Sequence, residues 1–90
     1  MLDIVLSNQF KKDIKLILKR GYDIELMNNV VNKLASEETL DERHRDHALT
    51  GNYIGFRECH IKPNWLLIYR IDNNELFLFL SRTGTHSDLF

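Results

Sequence analysis

Three histidines stand in a spaced series with arginine and aromatic residues. The series runs His47, then Arg57 and His60 followed by Asn64 and Trp65, then Arg82, His86 and Phe90. Histidine exchanges protons near neutral pH because its unperturbed pKa is about 6.5. Arginine stays charged and offers a planar fork that engages two phosphate oxygens together. This inventory fits metal-independent cleavage of RNA, in which the 2′-hydroxyl of the substrate attacks the neighbouring phosphorus. Such a reaction needs a base for the 2′-OH proton, an acid for the departing 5′-oxygen and cationic support for the crowded phosphate.

The elements that must carry these residues follow from periodicity. Leu2, Ile4 and Leu6 alternate with Met1, Asp3 and Val5, which suits a short strand. Ser7 can cap a helix whose Phe10, Ile14, Ile17 and Leu18 share a face, and Gly21 stops it. Asp23 can cap a second helix with Ile24, Met27, Val30, Val31 and Leu34 as its apolar stripe. The short link between the helices predicts an antiparallel hairpin. Residues 36–52 read as a long loop of charged and turn-forming residues, a length more often functional than idle. Strands are predicted over Tyr53–Ile61, Trp65–Ile71 and Glu75–Arg82, with turns at Lys62-Pro63-Asn64 and Asp72-Asn73-Asn74. Strand 65–71 is apolar on both faces and belongs in the middle of a sheet. The result is an α+β fold of order βααβββ in one domain, residues 1–90. Its helical hairpin packs on one face of a small, mostly antiparallel sheet, and the other face is open.

Composition narrows the setting. A single cysteine, Cys59, cannot form an internal disulfide, which suits a reducing cytoplasm, and it reads as a small core residue. No basic region precedes the first apolar residues, and no apolar run approaches the roughly 20 residues of a membrane span, so no membrane role is expected. A net charge of −1 and a pI near 6.4 argue against a generic nucleic-acid binder. Residues 11–20 nevertheless hold Lys11, Lys12, Lys15, Lys19 and Arg20 against Asp13 alone, a local charge of +4. That segment is either a solvated helix face or a phosphate-facing patch whose affinity falls with salt.

Asp46-His47-Ala48-Leu49, the run from Phe56 to Pro63, Leu67-Ile68-Tyr69 and the run from Arg82 to Phe90 resemble the YafQ-type toxins of the RelE/ParE superfamily. The likeness extends through nearly the whole chain, including the βααβββ order of a RelE-like domain. It implies a bacterial toxin of a type II toxin–antitoxin system, a ribosome-dependent endoribonuclease that cuts mRNA and is silenced by a cognate antitoxin. Operator DNA would be met only through that antitoxin. No cofactor is implied.

Carried over by position, the family's catalytic histidines fall on His47, His60 and His86 and its phosphate-stabilising arginine on Arg82. Its terminal aromatic falls on Phe90. Trp65 matches the residue that follows an acidic position in the loop between strands, and Asn64 stands where the family commonly has Asp. An amide cannot exchange a proton as a carboxylate can.

Read from the residues alone, Arg82 takes the next same-face position after Leu76, Leu78 and Leu80. Arg57 either binds phosphate or pairs with Glu58 or Asp46. Trp65 either stacks on a base or fills the core. His86 is read as the general acid, with His47 or His60 as the base. His44 is read as a solvated loop residue. Two rival classes stand beside the nuclease. A zinc site from His44, His47, Cys59 and His60 lacks a paired C-x-x-C element, so no metal is expected. A non-catalytic binder of a protein such as DNA gyrase would have no use for the histidine set.

Overall fold

A computed structural model describes residues 1–90. Strand β1 (Asp3–Leu6) leads into helices α1 (Asn8–Lys19) and α2 (Ile24–Ala35). After a 3-10 turn at Glu42–His44 come β2 (His47–Ala48) and a second 3-10 turn at Gly51–Tyr53. Strands β3 (Arg57–Lys62), β4 (Trp65–Asp72) and β5 (Phe77–Gly84) follow, and α3 (His86–Leu89) closes the chain. The five strands form one sheet in the order β1-β5-β4-β3-β2. Only β1 and β5 pair in parallel.

The predicted caps are in place. Ser7 Oγ accepts the Phe10 N–H at 2.9 Å and donates to the Ser81 carbonyl at 2.7 Å. One hydroxyl thus starts α1 and pins it to β5. Asp23 accepts the Glu25 N–H at 3.1 Å to start α2. Between the helices Gly21 adopts φ +77°, the left-handed conformation that lets the chain reverse after α1.

The hairpin packs its apolar stripe on one sheet face. Phe10, Ile17, Met27, Val30, Val31 and Leu34 meet Cys59, Trp65, Leu67, Tyr69, Leu78 and Leu80 there. The opposite face is less open than the periodicity suggests. Leu66 and Ile68 are fully buried beneath Leu89, with Leu49, Tyr53 and Phe56 packed around them. The cover is supplied by the segment before β3 and by α3, both too short to show a helical or strand period in the sequence.

Two departures from the expected strands decide where the chemical groups point. The long loop is partly ordered, since His47–Ala48 adds an edge strand to β3. More consequentially, β5 is bulged: Tyr69 pairs with Leu80 but Ile68 pairs with Arg82, so Ser81 is an extra residue without a partner. Side chains alternate across a strand, so one extra residue exchanges its faces. Leu78 and Leu80 face the helices, whereas Arg82 shares the face of Ile68. The predicted same-face series Leu76, Leu78, Leu80, Arg82 is therefore broken at both ends. Leu76 lies in the turn, with φ +58°, and Arg82 lies across the bulge.

Candidate active site

Register places the chemistry. His47 is opposite Glu58, Glu58 opposite Ile68, and Ile68 opposite Arg82, which makes one row across β2, β3, β4 and β5. The next row holds His60, Leu66 and Gly84. Residues directly opposite share a face, so His47, Glu58, His60 and Arg82 all lie on the side away from the helical hairpin. The β3 and β5 groups are separated by two strand spacings, about 9–10 Å.

On the β3 side the two histidines converge on one carboxylate. His47 Nε2 and His60 Nε2 each lie 3.6 Å from Glu58 Oε1, and the ring centroids are 6.5 Å apart. The Nδ1 atoms are held elsewhere, His47 by the Arg45 carbonyl at 2.6 Å and His60 by the Pro63 carbonyl at 3.2 Å. A carbonyl only accepts, so in both rings Nδ1 carries the hydrogen and the neutral ring turns a bare Nε2 toward Glu58. Those contacts become attractive only when a proton sits on Nε2 or on the carboxyl group. Glu58 is almost wholly buried, while His47 is half exposed and His60 less so.

On the β5 side, α3 fixes the remaining groups. Thr85 accepts the Asp88 N–H at 3.2 Å, and Asp88 accepts the Thr85 N–H at 2.8 Å, a reciprocal cap for a four-residue helix. Asp88 also binds Arg20 of α1 in bidentate fashion, at 2.6 and 3.1 Å. The Arg20 guanidinium, and then the Thr85 N–H, hold the Asp88 carboxyl well below the usual carboxylate range. Gly84 is required here because a Cβ would lie 2.8 Å from Asp88 Oδ2. With α3 so held, the exposed His86 stacks on Phe90 at 4.9 Å, and Phe90 meets the edge of Tyr53 at 5.7 Å. Arg82 is fixed by Asp13 of α1, through Nε at 2.9 Å and Nη2 at 3.3 Å. That carboxylate raises the Arg82 guanidinium above its ordinary range, against the opposing effect of burial.

The sequence candidates therefore divide. His47, His60, Arg82, His86 and Phe90 share one face. Arg57 does not: it pairs with Tyr69 on the hairpin side and donates to Asp46 at 3.3 Å, where the Tyr69 hydroxyl donates as well. Of its two readings, the structural brace is the one this position fits. Trp65 is buried among the hairpin residues, with its Nε1–H on Thr83 Oγ1 at 2.9 Å and its ring edge-on to Tyr22 at 5.0 Å. Core filling, not base stacking, suits that environment. Asn64 is exposed in the turn beside Pro63 and touches none of the histidines by hydrogen bond.

His44 corrects the sequence reading. It is buried, with Nδ1 on the His60 carbonyl at 2.6 Å, because the turn at 42–44 tucks it behind β3. Cys59 is completely buried in the hairpin core, and burial, then Asp46 and Glu58, push its thiol up to about 12. His44, Cys59 and His60 thus do not face a common point, and no group of three or more His, Cys, Asp and Glu side chains is arranged to hold a metal ion. Sequence reasoning missed Glu58, Asp13, Asp88 and Tyr53. The only available signal was an acid two residues from His60, which on a strand must share its face.

The basic segment is also reassigned in part. Arg20 is taken up by Asp88, and Asp13 by Arg82. Lys11, Lys15 and Lys19 recur at four-residue spacing with Lys12 beside them. All four are exposed, on the side of α1 away from buried Phe10, Asp13 and Ile17.

Comparison with known proteins identifies the family. The family described as "Bacterial toxin of type II toxin-antitoxin system, YafQ" matches residues 2–90. The mRNA interferase toxin YafQ of Escherichia coli K12 is 37% identical over 89 residues, 98% of this chain and 95% of that one. A metal-bound toxin from Helicobacter pylori is 48% identical and superposes with a TM-score of 0.95 over the whole of both chains. The E. coli DinJ–YafQ complex contains a chain 36% identical, with a TM-score of 0.90, over 100% of this chain and 99% of that one. This chain belongs to the YafQ family of bacterial type II toxin–antitoxin toxins.

Proposed function

We propose that the chain is an mRNA interferase that cleaves translated mRNA on the ribosome and is held silent by a cognate antitoxin. The observation that carries this reading is the placement of His47, Glu58 and His60 opposite Arg82 on one sheet face, with His86 on the short helix whose Leu89 packs against that face. The name of the E. coli relative as an mRNA interferase, and that relative's complex with DinJ, support the activity and the antitoxin.

In the proposed mechanism, the Glu58-backed histidines accept the proton of the 2′-hydroxyl as its oxygen attacks phosphorus. Arg82 neutralises the charge that accumulates on the phosphate oxygens. His86 gives a proton to the 5′-oxygen as the P–O5′ bond breaks. The products are a 2′,3′-cyclic phosphate and a free 5′-hydroxyl. Phe90, braced by Tyr53 and exposed, offers a stacking surface for a base, worth roughly 1–3 kcal/mol.

Ribosome dependence has a physical rationale. With a net charge of −1 the protein has little general attraction for naked RNA, so a substrate presented by a larger assembly suits it. No helix is long and apolar enough to cross a membrane, and a cytoplasmic site of action is part of the proposal. Operator DNA would be contacted through the antitoxin alone.

The test is primer extension on a translated reporter after brief induction, comparing wild type with His86→Ala and Glu58→Gln. In-frame cuts that vanish in both variants are the expected result. Growth arrest without cuts would overturn the nuclease reading and leave the alternative of a protein target such as DNA gyrase.

A further inference from the structure

Asp13 is the only acidic residue in α1, and it is buried. A buried charge is costly unless every lone pair finds a donor, and here each one does. Oδ2 accepts Arg82 Nε at 2.9 Å and the Thr83 N–H at 3.1 Å; Oδ1 accepts Gln9 Nε2 at 3.1 Å and Arg82 Nη2 at 3.3 Å. The Thr83 contact has a topological cause. β1 pairs with β5 only as far as Leu6 opposite Leu80, so beyond the bulge the β5 edge has lost its neighbouring strand. The α1 carboxylate takes that strand's place.

We infer that Asp13 is a positioning residue of the cleavage reaction: it grips one edge of the Arg82 guanidinium and thereby aims the other edge at the scissile phosphate. The inference rests on the proposed nuclease activity. An arginine has five N–H donors in a rigid fork. Asp13 consumes the Nε–Nη2 edge; the Tyr53 hydroxyl lies near enough to engage the guanidinium as well, and the N–H groups that Asp13 does not hold are those a ligand would take, displacing Tyr53 where it does so. The guanidinium cannot rotate about its long side chain without losing two charge-assisted hydrogen bonds. It is thus oriented before substrate arrives, the condition under which electrostatic stabilisation is effective. The bulge at Ser81 and Asp13 act in sequence, the first choosing the face for Arg82 and the second fixing its angle.

A merely structural Asp13 would also cap the β5 edge, so the test must separate the two roles. Single-turnover cleavage on programmed ribosomes is measured for wild type, Asp13→Asn, Arg82→Ala and the double variant, with rates corrected for folded fraction by urea titration. If Asp13 acts through Arg82, Asp13→Asn lowers the cleavage rate by about 10–100-fold with apparent KM within about twofold, and Arg82→Ala by about 10²–10³. The double variant is then no slower than Arg82→Ala, because the two share one contribution. The Arg82 Nε–H signal in 15N NMR shifts or exchanges away in Asp13→Asn. Additive effects, or unchanged rates beside a lowered urea midpoint, would overturn the inference. Should Asp13→Asn fail to fold, Arg82→Lys decides: it keeps the charge but not the fork and is expected to match Arg82→Ala, whereas wild-type rates would overturn the idea. Absence of cleavage by wild type sinks the nuclease reading instead, while the NMR comparison still reports on the Asp13 grip.

Discussion

Replacing Gly84 by alanine tests whether α3 is a rigid mount for His86. The new Cβ would sit 2.8 Å from Asp88 Oδ2, 3.0 Å from its Cβ and 3.3 Å from its Cγ. Ordinary contact begins near 3.4 Å, so Asp88 must retreat by roughly half an ångström. It cannot do so freely, because the same Oδ2 accepts Arg20 Nη1 at 2.6 Å and the Thr85 N–H at 2.8 Å. Losing the cap costs about 1 kcal/mol. Holding a non-glycine residue at φ +156° adds about 1–3 kcal/mol. The sum is about 2–4 kcal/mol, before any loss of the Arg20 contact. For a domain of this size each kcal/mol moves Tm by about 4–8 °C, so a fall of at least about 8 °C is expected by thermal circular dichroism. Cleavage measured well below the new Tm should fall as well, since α3 loses its cap at the residue before His86. A Tm within about 3 °C of wild type would show that Asp88 swings aside without cost, and the rigid mount would have to be given up.

Three further outcomes are expected. Trp65→Phe removes the Nε1–Thr83 hydrogen bond and should cost about 1–2 kcal/mol in urea unfolding while leaving cleavage per folded molecule unchanged; reduced cleavage at wild-type stability would return Trp65 to the substrate. The Asp88 carboxyl is depressed in the folded state by Arg20 and the Thr85 N–H, so its stabilising contribution is full above the unfolded value of about 4 and is lost as the pH falls below it. Asp88→Asn should therefore flatten the acid limb of the stability curve below about pH 4, and an unaltered limb would contradict the assignment. Replacing Lys11, Lys12, Lys15 and Lys19 by glutamine should lower the salt dependence of ribosome binding by a log–log slope of up to about 3, at roughly 0.7 per contacted phosphate; an unchanged slope would leave these lysines as a solvated face.

How much of the fold and site was legible depended on how far apart the interacting residues lie in the chain. The caps of α1 and α2 act within three residues, and Ser7 and Asp23 announce them. The central place of β4 follows from its own unbroken apolar run, and the burial of Cys59 from its alternation with Glu58 and His60. The candidate site was legible as a list of histidines, an arginine and an aromatic that the fold brings to one face, because each is chemically distinctive. Its supports were not. Asp13 and Arg82 are 69 positions apart and Arg20 and Asp88 are 68, and neither acid differs in sequence from an ordinary solvated one. His44 was misjudged for the same reason, since only the turn before β2 brings it to the His60 carbonyl. The bulge at Ser81 left no mark either, because a serine within a strand reads as one more alternating residue.

That bulge gives the chain a parity. In a strand that counts by twos, Leu80 and Arg82 should agree in direction, and the unpaired serine makes them disagree. Everything downstream, from Arg82 to Phe90, inherits the inversion. Point substitutions in β5 would leave the count intact, but removing Ser81 would turn the guanidinium toward the hairpin core and Thr83 toward the face that carries His47 and His60. A transplant of these nine residues onto another strand must be counted from the bulge, not from the strand's first residue.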